Sequence, residues 1–307
     1  MKRVPLKEMT AVLLSLFLFA CSAPSHKEKA DLALLDARIW TADPERPWAE
    51  ALAVSGGRIT AVGSSEDIQA LVGDETQVLE AEGTFVTPGF IDSHIHFLQG
   101  GANLLSVQLR DAATPEEFVQ RIADYAQELP SGEWILGGDW DHERWGGELP
   151  KAEWIDEVTP ENPVMINRLD GHMVLANSLA MELAEVGPES EEVEGGTIVR
   201  DDQGRPTGIF KDNAMDLIGS AVPEPTLEQI TRAFEAAQKH VTEQGVTSVH
   251  HMGSWDDLKA FRDVQRMDLL GIRIYAAVPL HTWQRLELEI KNLGRGDEWL
   301  RIGGLKG

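Results

Sequence analysis

Downstream of Pro88-Gly89 the chain alternates between short apolar runs and longer amphipathic stretches, and this alternation constrains its fold more than any other feature. The apolar runs, at 134–137, 164–167, 246–250, 272–278 and 301–305, have the length and composition of buried strands. The amphipathic stretches, at 115–129, 226–243 and 255–269, have helical length. Thr114-Pro115-Glu116-Glu117 and Thr226-Leu227-Glu228 place a capping hydroxyl ahead of an acidic first turn, which favours a helix start. Strands alternating with helices predict parallel α/β structure. "GGTIVRDDQGRPTGIF", residues 195–210, breaks the rhythm. It predicts a hairpin about Gln203-Gly204, separate from the parallel strands.

Residues 31–86 follow a different pattern, with β-like runs between turn signals. Gly56-Gly57 predicts a tight turn joining strands at 51–54 and 58–62, and one helical turn is expected near 66–72. The expectation is a small antiparallel, sandwich-like β domain. Residues 1–20 read as a secretory signal: Lys2, Arg3 and Lys7 precede an apolar run at 11–20 that is too short to span a bilayer. Leu18-Phe19-Ala20-Cys21 looks like a bacterial lipobox, in which Cys21, the single cysteine, carries lipid. An exported lipoprotein is expected, held at the membrane through Cys21 and facing the periplasm or cell exterior, with residues 21–30 as tether. The formal charge of -24, from 51 acidic and 27 basic residues, would repel phosphate backbones and argues against a nucleic-acid partner.

"TPGFIDSHIHF", residues 87–97, carries the chemistry. Side chains at i and i+2 of a strand point to one side, so His94 and His96 are expected to converge while Ser93 and Ile95 face away. Two neutral imidazoles at the end of a parallel strand are half of a first-row metal site, and barrel enzymes place ligands at such ends. His250 and His251 end another strand, "GVTSVHH", and Lys306 ends the last one. Neither His250 nor His251 is assigned as a ligand. Within 100–225, Trp140, Asp141 and Asp170 are candidate pocket residues. His172, in "DGH", is a candidate catalytic residue able to hydrogen-bond a substrate oxygen.

The landmarks "GGRITAVG", "TPGFIDSHIHF", "WILGGDWDHERW", "LDGHMVLANSLA", "DDQGRPTGIF", "GVTSVHH" and "GGLKG" run in order from about Asp31 to the last residue. Together they resemble the metal-dependent amidohydrolases, within them the amidohydrolase family 3 branch. The resemblance implies a TIM-type (β/α)8 barrel with a small N-terminal β domain. Residues 87–307 would then be the N-terminal half of the barrel, about four strands, with an insertion at about 100–225 after the first. His94 and His96 match the first-strand metal pair. Lys306 matches the fourth-strand lysine, which as a carbamate bridges two ions. The implied cofactor is a divalent metal, zinc by expectation, as one or two ions. The implied substrate is a small amide-like molecule cleaved at a carbon–nitrogen bond.

A barrel of this type closes with eight strands, and Gly307 follows Lys306 directly. The histidines of later strands and the late aspartate that serves such enzymes as general base have no counterpart here. The expectation is therefore a fragment, inactive alone and lacking a complementary C-terminal half. The alternative is a non-catalytic envelope lipoprotein that keeps only a binding role.

Overall fold

The computed structural model describes residues 29–307, so the signal and lipid-anchor expectations, Cys21 included, lie outside the described residues. The chain divides into two compact units between Pro88 and Gly89.

The first unit contains β1 (Leu32–Leu35), β2 (Arg38–Trp40), β3 (Trp48–Ala49), β4 (Ala51–Ser55), β5 (Arg58–Gly63), α1 (Ser65–Gln69), β6 (Gln77–Glu80) and β7 (Phe85–Val86). They form two sheets, ordered β5-β4-β1-β6 and β3-β2-β7. Gly56 and Gly57 both have positive φ, +56° and +73°, so the expected tight turn joins β4 to β5. The unit is mixed rather than purely antiparallel, because β6 joins β1, and β7 joins β2, in the parallel sense. A parallel pair needs a long crossover, and the segment through β4, β5 and α1 supplies it. Apolar periodicity carries no information about strand direction, which is why this feature was not expected.

The second unit opens with β8 (Phe90–Ile95) and α2 (Phe97–Leu105). A long excursion follows: β9 (Val107–Gln108), α3 (Pro115–Glu128), β10 (Ile135–Trp140), α4 (Ala152–Ile155), β11 (Val164–Arg168), β12 (Met173–Ala176), α5 (Ser178–Leu183), β13 (Gly196–Arg200), β14 (Pro206–Asp212) and α6 (Met215–Gly219). The chain returns through α7 (Leu227–Glu243) to β15 (Val246–Met252). Then come α8 (Trp255–Arg266), β16 (Arg273–Pro279), α9 (Trp283–Leu293) and β17 (Leu300–Lys306).

β8, β15, β16 and β17 form one wholly parallel sheet, in the order β17-β16-β15-β8. The excursion builds its own six-stranded mixed sheet, β13-β14-β12-β11-β10-β9, and the expected hairpin is its β13–β14 edge. Helices start where capping chemistry allows. Thr226 Oγ1 accepts from Gln229 N (3.2 Å) while Gln229 Oε1 accepts from Thr226 N (2.9 Å), a reciprocal pair that fixes the start of α7. Ser254 and Asp257 do the same for α8. The buried faces of these helices meet the parallel sheet around Phe97, Phe234 and Phe261, whose ring centroids lie 5.4–6.3 Å apart. Each such ring is worth about 1.5–3 kcal/mol of burial. α2 packs against α7 at Gly101, where a Cβ would come within 1.9 Å of Ala233 O, so only glycine permits this approach.

Candidate metal centre

β8 delivers its histidines at the C-terminal end of an outer strand of the parallel sheet. Asp92 Oδ1 accepts from His94 N at 3.0 Å, turning the backbone as the strand ends. His96 lies just beyond, at the N-cap of α2 with φ -96° and ψ 77°. Ile95 points the other way and packs on the core, and Phe97 is fully buried. The two exposed imidazoles are neighbours, with centroids 6.0 Å apart and planes at 61°. Neither ring has a hydrogen-bond partner among the described residues, so both keep free nitrogen lone pairs. With Zn–N bonds of about 2.0–2.1 Å, two imidazoles on one tetrahedral ion have centroids roughly 5 Å apart. The pair, spaced at 6.0 Å, comes within about 1 Å of that value. It supplies two donors only: among the described residues no group of three or more histidine, cysteine or carboxylate side chains gathers in ligating geometry.

Lys306 is exposed at the C-terminal end of β17, the opposite outer strand. It stands at the same end of the sheet as the histidines. Two strands intervene, a separation of about 14 Å at the usual strand spacing.

The other expected residues gather elsewhere, at the C-terminal ends of the paired strands β10 and β11. Arg168 binds Asp170, lies 3.7 Å from Asp141 and donates from Nε to His142 Nδ1 at 3.2 Å. Burial pushes the Asp170 carboxyl up, but the His172 N–H and the Arg168 guanidinium outweigh it and hold the group below the usual carboxylate range. Asp141 also accepts from Glu143 N, capping the short 3-10 turn His142–Trp145. His172 sits in the turn between β11 and β12. Its ring is largely exposed and lies 3.0 Å from Asp212 Oδ1. Trp140 is fully buried, its indole donating to Ile166 O at 3.0 Å, so it is a core residue and not the pocket wall expected of it. No hydrogen bond joins this cluster to His94 or His96 among the described residues.

Two residues not selected from the sequence organise these sites. Arg168 does so for the carboxylates; its signal was its place two residues before Asp170 in "NRLDGH". His251, set aside as a ligand, is buried beside the histidine turn, and its Nδ1 accepts from Phe97 N at 3.0 Å. No local signal announces a contact between residues 154 positions apart.

A model of the Amidohydrolase family matches residues 77–306. The protein LONG AFTER FAR-RED 3 of Arabidopsis thaliana is 40% identical over 90% of this chain and 50% of its own length. An N-substituted formamide deformylase of Arthrobacter pascens is 30% identical over 89% of this chain and 51% of its own. The crystal structure of an uncharacterized metal-dependent hydrolase from Pyrococcus horikoshii OT3 superimposes with a TM-score of 0.71 at 27% identity, covering 89% of this chain and 53% of that one. The chain thus spans about half the length of these relatives.

Proposed function

The chain belongs to the Amidohydrolase family, and from that premise we propose that it carries the metal-binding side of a hydrolase for carbon–nitrogen bonds in small amide-like molecules. One observation carries the reading: His94 and His96 stand side by side at the end of a parallel strand, their ring nitrogens without a hydrogen-bond partner among the described residues. A bound divalent ion supplies Lewis acidity toward a carbonyl oxygen and makes water more acidic. The chain's own residues do the rest. His94 and His96 would hold the ion through imidazole nitrogens, and the Asp92 contact to His94 N keeps the turn that presents them. Lys306, at the same end of the sheet, is the proposed further donor; as a carbamate it would offer anionic oxygen, which a free ammonium cannot.

His172 is proposed to meet the substrate oxygen. Its partner Asp212 fixes one ring nitrogen and leaves the other to donate or accept a proton. Arg168 would hold the neighbouring loop by its grip on Asp170 and Asp141. The name of the Arthrobacter relative makes N-substituted formamides the first substrates to try. The test is metal analysis with a screen of formamides and simple amides, with His94→Ala and His96→Ala as controls. Metal uptake and turnover that both controls abolish would support the reading; metal uptake unchanged in both would sink it.

A further inference from the structure

We propose that His251 is a positioning residue for the histidine pair, setting the orientation of His96 by capping the helix that follows it; this rests on the metal reading above. α2 begins at Phe97, directly after His96, and its own N-cap residue makes no side-chain capping bond. The first N–H groups of a helix need acceptors from elsewhere. Here the acceptor comes from the neighbouring strand: His251, level with Ile95 in the β8–β15 ladder, accepts from Phe97 N at 3.0 Å.

The consequence for His96 follows from peptide geometry. The amide between His96 and Phe97 is planar, so pinning the Phe97 N–H pins ψ of His96. The Phe97 ring, fully buried against Phe234 and Phe261, holds the other side of the same residue. His96 is thereby held between a fixed amide plane and β8.

His251 is itself held on three sides. Because Nδ1 accepts, the ring proton sits on Nε2, which lies 3.3 Å from Asp257 Oδ2. The contact is close but lacks hydrogen-bond alignment, and the same oxygen also accepts from Ser254 N (2.7 Å) and Ser254 Oγ (2.9 Å). Phe261 presents its ring at 4.9 Å and 87° to the imidazole. Gly253 leaves the necessary room, for a Cβ there would come within 2.0 Å of Nε2 and 2.4 Å of Asp257 Oδ2. A buried imidazole placed this closely, with no part in ligation, acts through the turn that it caps.

The test measures zinc affinity of the full chain by chelator competition, together with amide exchange at Phe97. His251→Leu removes the acceptor and should weaken zinc binding about 10- to 100-fold, as loss of an outer support does, and expose the Phe97 amide. His251→Asn, whose Oδ1 stands where Nδ1 stood, should restore both. Should His251→Leu fail to fold, Gly253→Ala, whose Cβ would push the intact imidazole away from Phe97 N, carries the comparison. Zinc affinity equal to the parent in all three variants, with only the melting temperature lowered, overturns the proposal. If the parent chain takes up no zinc and His94→Ala changes nothing, the metal reading fails and this inference falls with it. If His94→Ala abolishes binding while His251→Leu does not, the positioning role alone is withdrawn.

Discussion

The two sheets of the second unit spend their polar groups in opposite ways. In the six-stranded sheet, buried polar atoms are consumed internally. Asn177 alone accepts from Val164 N and Ala180 N and donates to Thr159 and Asn162, tying β11 to α5 and the preceding turn. The parallel sheet leaves capacity unspent at its C-terminal end, where the rings of His94 and His96 have no hydrogen-bond partner among the described residues and Lys306 is exposed. Its outer strands also keep large apolar side chains uncovered, Phe90 and Ile91 at about 60% exposure. The contrast separates groups that hold a fold together from groups that remain available for a ligand.

Substitutions can break this contrast. Asn177→Ala should destabilise the chain by on the order of 3 kcal/mol, since it strands two buried N–H groups, and should leave zinc affinity alone. Denaturant unfolding with a zinc titration measures both. His94→Ala should do the reverse: zinc affinity falls by more than about 100-fold, beyond the loss typical of an outer support, while the melting temperature barely moves. Comparable stability loss in both variants would erase the distinction.

Asp257 tests the boundary between the two kinds of group. Burial raises its carboxyl, but His251 and the Ser254 donors together hold it below the ordinary 3.8. A depressed carboxylate contributes stability above its unfolded value and loses it as pH falls through the folded one. Acid titration should therefore cost the parent stability below about pH 4, and Asp257→Ala should reduce that dependence while costing about 1 kcal/mol at neutral pH through the lost cap. The smallest effect is expected at His172. Its pair with Asp212 is solvent-exposed, so His172→Ala should change stability by less than about 0.5 kcal/mol and show itself only in turnover.

What the sequence made legible follows from locality. β15, β16 and β17 lie within two residues of the apolar runs that announced them, and α3 and α7 start at the capping hydroxyls of Thr114 and Thr226. The adjacency of His94 and His96 came from strand alternation, although the strand itself stops at Ile95 and His96 already belongs to the helix start. α2 was not expected, because "FLQGGANLL" carries two central glycines that weaken a helix. Tertiary packing overrides that propensity, since Gly101 is what lets α7 approach. α9 was missed for a related reason: Leu288 and Leu293 remain exposed, so its apolar pattern does not trace one buried face. His251 draws its role from a partner 154 positions away, and Arg168 reaches Asp141 and His142 as well as its neighbour Asp170; periodicity has no access to such contacts.

β8 and β15 are bonded neighbours in the ladder, although the whole six-stranded excursion lies between them in sequence. The excursion thus leaves and re-enters at adjacent points, like a cassette plugged into a socket. Swapping its contents alters the chain-closure entropy only logarithmically and need not disturb the register of the strands beneath. An exchange of that cassette would leave in place the ladder on which the imidazole pair is seated.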